Sequence, residues 1–261
     1  MLNKNLSIIL AAGRGSRMKG YYGNKTTISL ISGYKYPMIL EILKNTPFGY
    51  KLIVVHYKKE DVMNVTKGFG VIYCEQPELN GTGGAILAAR DILLEIDTEA
   101  VIITMGDVPL VTRNTYYSLL EGLKYNDMMV LGFIPKHKRQ YGVLELQQDK
   151  VKRIIEWKTW KDFSLEEQEK YQICNSGIYA IRKRILLQYI PLLSSKPHIV
   201  IKNRNGVPTK IKEYFLTDLV EYMNNDGLSV RYELASEREL IGVDDPDSLA
   251  IARQVFISKR R

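Results

Sequence analysis

Leu10-Ala11-Ala12-Gly13-Arg14-Gly15-Ser16-Arg17-Met18 follows directly on the apolar run Leu6, Ser7, Ile8, Ile9. Three occupants compete for this glycine-rich segment: a signal peptidase, a dinucleotide and a nucleoside triphosphate. The apolar core from Leu6 to Ala12 is at the short end for a secretion signal, and Arg14 and Arg17 follow at once, so a buried first β-strand is the better reading. A dinucleotide fingerprint, G-x-G-x-x-G, needs a third glycine for close helix and strand packing, and Met18 stands at that position. A Walker A loop needs lysine after its last glycine, whereas Lys19 precedes Gly20. What remains is a turn whose two glycines let backbone N–H groups point into one concavity, with Arg17 and Lys25 able to face the same anion. Such a turn suits a triphosphate.

Outward from this turn, apolar runs of strand length recur: Leu6 to Ala12, Tyr50 to His56, Gly70 to Cys74, Ala100 to Met105 and Met129 to Phe133. Between them Pro37 to Asn45, Lys59 to Lys67, Gly83 to Leu94 and Arg113 to Tyr125 carry apolar residues at three- and four-residue spacing and read as helices. This alternation predicts an α/β, doubly wound unit with a mostly parallel sheet. After about Pro135 the rhythm changes. Tyr141 to Gln147, Val151 to Trp157 and Cys174 to Ile181 read as strands of a more antiparallel region, with Phe163 to Glu169 an exposed helix. Arg184 to Leu192 and Phe215 to Asn224 read as helices, Val230 to Leu234 as a short strand, and Pro246 to Ser258 as a last amphipathic helix. With no repeat or low-complexity linker, residues 1–261 are expected to form one domain, with a first half to about 135, a second half over about 136–245 and a C-terminal helix from 246.

The 261 residues are enough to bury a full core without disulfides. Cys74 and Cys174 are far apart, with no CxxC or Cys/His cluster, so neither a disulfide framework nor a zinc site is indicated and a reducing cytoplasm fits. No run reaches the ~18 uninterrupted apolar residues of a membrane helix. The formal charge of +8 admits nucleic acid or an acidic small substrate. The basic clusters, Lys136 to Arg139, Arg182 to Arg184 and Lys259 to Arg261, lie outside any zinc-finger, RRM or basic-zipper pattern and read as solvated faces, so no nucleic-acid partner is expected.

Polar residues collect at the ends of the later strands, where open α/β sheets place their ligands. Glu75-Gln76-Pro77-Glu78-Leu79-Asn80-Gly81-Thr82-Gly83-Gly84-Ala85 follows the third run, and Gly106-Asp107-Val108-Pro109-Leu110 the fourth. Asp107 sits where a metal bridging phosphates is needed, although a helix cap is the commoner use of such an aspartate. Together with Lys25, Tyr141-Gly142, Ile155-Glu156, Asn175-Ser176-Gly177, Tyr214-Phe215-Leu216-Thr217-Asp218 and Gly242-Val243-Asp244, in this order, the chain resembles the sugar-phosphate nucleotidylyltransferases. It is most similar to the uridylyltransferase domain of the bacterial bifunctional N-acetylglucosamine-1-phosphate uridylyltransferases, from Leu6 to about Val255.

The resemblance implies a Rossmann-like, mixed sheet of the nucleotide-diphospho-sugar transferase (GT-A-like) type. It also implies transfer of a uridylyl group from UTP to a sugar 1-phosphate, with Mg²⁺ as cofactor. By position, the backbone from Leu10 through Ala11, Ala12 and Gly13 to Gly15 holds the nucleotide, while Arg17 and Lys25 offset charge on the triphosphate and the leaving pyrophosphate. Gln76, Gly81 and Thr82 match positions that read the pyrimidine. Gly142, Glu156, Asn175 and Thr217 match positions around the sugar. Asp107 matches the metal ligand, and its partner, an asparagine in the family, is matched by Asp244. The neighbouring Asp245 leaves open which of the two faces the metal, and an N-cap before Pro246 is the competing use of both. The chain departs from the family at Gly84, where the resembling enzymes carry histidine, and in the residues before Lys25. No hexapeptide-repeat region follows, so acetyl transfer is not expected. Thymidylyl or cytidylyl transfer to another phosphate stays open, as does a non-catalytic sensor or subunit. The oligomeric state is left undetermined.

Overall fold

A computed structural model describes residues 5–204 and 207–259; Met1 to Lys4 and the last two arginines of the basic tail lie outside the described residues. Strand β1 (Asn5–Leu10) leads through a long turn to α1 (Met38–Asn45), β2 (Tyr50–Val55), α2 (Lys59–Thr66), β3 (Ile72–Glu75), α3 (Thr82–Ala88), α4 (Arg90–Glu95), β4 (Ala100–Met105), α5 (Arg113–Gly122) and β5 (Met128–Phe133). The second part runs β6 (Val143–Gln147), β7 (Lys150–Ile155), α6 (Trp157–Trp160), α7 (Leu165–Lys170), β8 (Cys174–Arg182), α8 (Lys183–Ser195), β9 (His198–Arg204), β10 (Val207–Glu213), α9 (Asp218–Asn225), β11 (Val230–Leu234) and α10 (Pro246–Ser258).

Nine strands form one mixed sheet in the order β3-β2-β1-β4-β8-β5-β11-β7-β6. β1 pairs in parallel with β2 and β4, and β8 enters antiparallel between β4 and β5. Alternation along β1 explains why its run is apolar at every position from Leu6 to Leu10 except Ser7. Leu6, Ile8 and Leu10 join the core under α3, α4, α8 and α9, while Ile9 and Ala11 join the opposite core under α1 and α2. A strand covered on both faces has no polar side to show. The fold is thus doubly wound and mixed α/β, with the parallel first half the alternation predicts.

Three local expectations are corrected. The helix expected over Gly83 to Leu94 is broken at buried Ala89, whose N–H is shared among the Ala85, Ile86 and Leu87 carbonyls, a tightening that ends one helix and starts the next. The strand expected to reach Trp157 stops at Ile155. There the Glu156 carbonyl accepts from Thr159 and Trp160 N–H, and Trp160 buries its ring while donating Nε1–H to the Tyr141 carbonyl at 2.8 Å. Finally, β9 and β10 form an antiparallel hairpin that the apolar pattern does not signal. Ile199 and Ile201 are exposed on its outer face, across from Lys212 and Lys210.

Helix α10 folds back on the first part, where Phe256 and Ala252 pack with Met18, Ile28 and Met38 and Arg253 donates to the Ser29 carbonyl. Its start is a capping box: Asp245 Oδ1 accepts from Ser248 N–H at 2.8 Å, and Ser248 Oγ accepts in return from Asp245 N–H. Replacing Asp245 with alanine is expected to cost about 1 kcal/mol and lower the melting temperature by about 2–4 °C, with turnover retained. Thermal denaturation beside a turnover assay checks this.

Candidate active site

The ends of β1, β2 and β4 fix the glycine turn. Gly106 N–H donates to the Leu10 carbonyl at 2.9 Å, Ala11 N–H to Val54 and Tyr57 N–H to Ala12. Asn24, fully buried, pins the next segment to it: its side-chain amide donates to the Ala11 carbonyl at 3.0 Å and to Tyr57 at 2.7 Å, and its oxygen accepts from Thr26 N–H. Lys25 is thereby held against the turn. At Gly15, with φ +59°, a Cβ would lie 2.9 Å from that of Lys25, so only glycine lets the lysine stem run along the loop.

Lys25 Nζ lies 2.6 Å from Asp107 Oδ2 and 2.8 Å from Asp244 Oδ1, and an Arg17 guanidinium nitrogen lies 3.0 Å from the same Asp244 oxygen. Residues from the first turn, the end of β4 and the approach to α10 thus meet at one point. Burial pushes the Lys25 pKa down, but the charges and hydrogen bonds of Asp107 and Asp244 outweigh it and leave the ammonium above its ordinary value. Asp245, committed to its cap, is the one that does not take part. The Asp107 and Asp244 oxygens that share one cation are a hard donor set of the kind Mg²⁺ takes with its waters and phosphate oxygens. Among the described residues no group of three His, Cys, Asp or Glu forms a closed metal cage.

This point opens into a cavity of about 860 Å³ lined by residues 10–16, Lys25, Gln76, Gly81, Thr82 and Asp107 among others. Gln76 is buried, and its Nε2 donates to Asn80 Oδ1 at 2.8 Å and to the Gly81 carbonyl at 3.1 Å. Gly84 fits the same arrangement: a Cβ there would fall 1.7 Å from Asn80 Oδ1. Gly142, Glu156, Asn175 and Thr217 form a second cluster. Asn175 N–H donates to the Gly142 carbonyl at 2.8 Å, Thr217 Oγ1–H donates to Glu156 Oε1 at 2.7 Å, and Gly142 lies against Glu156. The loops between the two clusters touch, since Leu216 N–H donates to Thr82 Oγ1.

Residues 7–193 match the model of the MobA-like NTP transferase domain. The chain belongs to the MobA-like NTP transferase family. It is 32% identical over 263 residues to the bifunctional protein GlmU of Sulfurimonas denitrificans, an alignment covering 98% of this chain and 54% of that protein. The chain therefore spans about half the length of the curated relatives it matches. Two solved structures show the same fold. One is the uridine diphosphate N-acetylglucosamine pyrophosphorylase of Trypanosoma brucei, with a TM-score of 0.78, 13% identity and coverage of 98% of this chain and 65% of that one. The other is CMP:2-keto-3-deoxy-manno-octonic acid synthetase complexed with CTP, with a TM-score of 0.65, 15% identity and coverage of 98% and 100%.

In this MobA-like NTP transferase several site residues escape sequence reasoning. Lys202 and Glu213, ion-paired on the cavity side of the β9–β10 hairpin, line the same cavity. His56 Nδ1 lies 2.7 Å from the Gln76 carbonyl. His198 stacks on Phe215 and pairs with Asp218, beside the Glu156 cluster. Only the hairpin brings the first two and His198 there, so strand-end motifs give no signal for them.

Burial raises the Glu156 pKa, with the Thr217 hydrogen bond working against it. A carboxyl with a raised folded pKa adds stability below its ordinary value of 4.5 and loses it as pH rises through the folded value. Near neutrality the ionised form is therefore a net cost to folding. Glu156→Gln is expected to raise the melting temperature at pH 7.5, with the gain shrinking towards pH 4.

Proposed function

We propose that the protein transfers a uridylyl group from UTP to a sugar 1-phosphate, N-acetylglucosamine 1-phosphate or a close relative, releasing pyrophosphate. The observation that carries this reading is the convergence of Arg17 and Lys25 on Asp107 and Asp244 at the mouth of the glycine turn. The GlmU relatives, matched along nearly the whole chain, support the choice of substrates.

The acceptor phosphate is already an anion, so no general base is needed. Its oxygen forms a bond to the α-phosphorus as the bond to the β-phosphate's bridging oxygen breaks, and catalysis is positioning plus charge stabilisation. The backbone from Leu10 to Gly15 cradles the phosphates. Arg17 and Lys25 take up charge on the departing pyrophosphate. Asp107 and Asp244 would hold Mg²⁺, which when bound neutralises phosphate charge. Gln76 selects the base: the Gly81 carbonyl can only accept, so the amide nitrogen must face it, which leaves the Gln76 oxygen as an acceptor. Uracil offers an N3–H donor to it, and cytosine offers a second acceptor. Glu156, Asn175, Thr217 and the Gly142 backbone line the acceptor's hydroxyl and acetamido groups.

Pyrophosphate release from UTP, CTP, dTTP, ATP and GTP, each with Mg²⁺ and a panel of sugar 1-phosphates, tests the reading. Release is expected with UTP and N-acetylglucosamine 1-phosphate. Release confined to another pair replaces the substrates, and none with any pair contradicts the activity.

A further inference from the structure

We propose that Lys25 is the resident counter-cation of the Asp107 and Asp244 pair: in the free protein its ammonium fills the seat a divalent cation needs, and it passes to the triphosphate when cation and nucleotide enter together. The inference rests on the reading of these two aspartates as the cation's ligands and deepens it.

The geometry carries it. Two N–H groups of one ammonium point at carboxylates from distant parts of the chain, at 2.6 and 2.8 Å, and the side chain is only 11% exposed. The carboxylates would otherwise face each other with like charge, which is costly at a half-buried site. A divalent cation arriving alone must displace the lysine and leave its charge without a partner. A triphosphate arriving alone must draw Lys25 and Arg17 away from carboxylates that then lose their neutralisation. Arriving together they exchange partners, so that each anion keeps a cation. The exchange needs little movement, because the Lys25 stem already runs along Gly15 in the turn that cradles the phosphates. Arg17, 61% exposed and bound to the same Asp244 oxygen, can leave with still less hindrance. Binding of one ligand then favours the other by the same factor in either order.

The direct test is Mn²⁺ binding to the nucleotide-free protein, followed by electron paramagnetic resonance for wild type, Lys25→Met and Lys25→Gln. Both variants are expected to bind Mn²⁺ at least about tenfold more tightly than wild type, and Mn²⁺ should raise their melting temperatures more. Equal Mn²⁺ affinity in all three overturns the role of Lys25 while leaving the aspartates as ligands. Absence of protein-bound Mn²⁺ even with UTP overturns both. A second arm does not depend on removing the lysine: UTP binding in EDTA by calorimetry, wild type against Asp107→Asn combined with Asp244→Asn. Releasing Lys25 and Arg17 from their carboxylates should tighten metal-free UTP binding at least about tenfold, and unchanged or weaker binding overturns the proposal.

Discussion

Replacing Asp107 with alanine lowers turnover about a thousandfold, the loss of several kcal/mol of charge stabilisation at the transferring phosphate, while the protein stays folded. The backbone of this turn is held independently of the side chain. Gly106 N–H donates to the Leu10 carbonyl, and Val243 N–H to the Asp107 carbonyl at 2.8 Å. Lys25 keeps Asp244 as a partner, so no buried charge is stranded. Steady-state kinetics with circular dichroism and thermal denaturation check both halves of the result. Turnover within a few-fold of wild type removes Asp107 from the chemistry; unfolding makes its role structural.

Gly81→Ala is expected to destabilise the protein strongly. An added Cβ would lie 2.4 Å from the Tyr214 carbonyl oxygen, at a φ of +96° that side-chain-bearing residues rarely adopt. The neighbour cannot yield, because Tyr214 N–H donates to the Asn80 carbonyl and Gly83 N–H to the Tyr214 carbonyl, both at 2.8 Å. A backbone clash in a disfavoured region costs about 3 kcal/mol, roughly 6–12 °C in melting temperature for a chain of this size. The Gly81 carbonyl also accepts from Gln76, so the nucleotide KM should rise in the protein that still folds. Gly13→Ala is the control, since a Cβ there meets nothing within 4 Å and stability should not change. A Gly81→Ala protein as stable as wild type would mean that the Asn80 to Gly83 turn and Tyr214 are not locked as described.

The doubly wound half was legible because its strands are covered on both faces: Leu6 to Ala12 and Ala100 to Met105 are apolar runs interrupted only by the buried Ser7 and Thr104, and each is followed by the turn that lines the cavity. The phosphate turn could be separated from its alternatives by single residues, Met18 and Lys19. The choice between Asp244 and Asp245 could not be made from sequence, since both precede a proline-led helix. The structure separates them: the capping box with Ser248 occupies Asp245, while Asp244 pairs with Lys25 and Arg17. The β9–β10 hairpin was illegible for a different reason. On its outer face exposed Ile199 and Ile201 stand across from Lys212 and Lys210, so the apolar residues do not mark a buried side, and Lys202 and Glu213 reach the cavity only through that pairing. The meeting of Lys25 with Asp107 and Asp244 is long-range in the same way: the distance along the chain says nothing about two carboxylates competing for one ammonium.

The central claim is that the α-phosphate of the nucleotide moves to the acceptor. The most direct test uses UTP labelled at the α-phosphorus with Mg²⁺ and N-acetylglucosamine 1-phosphate, following labelled products and pyrophosphate together. The account predicts label appearing in a UDP-sugar, one pyrophosphate per molecule formed, and loss of both in Asp107→Ala. Label recovered only as UTP or UMP, with no labelled sugar nucleotide, would contradict it.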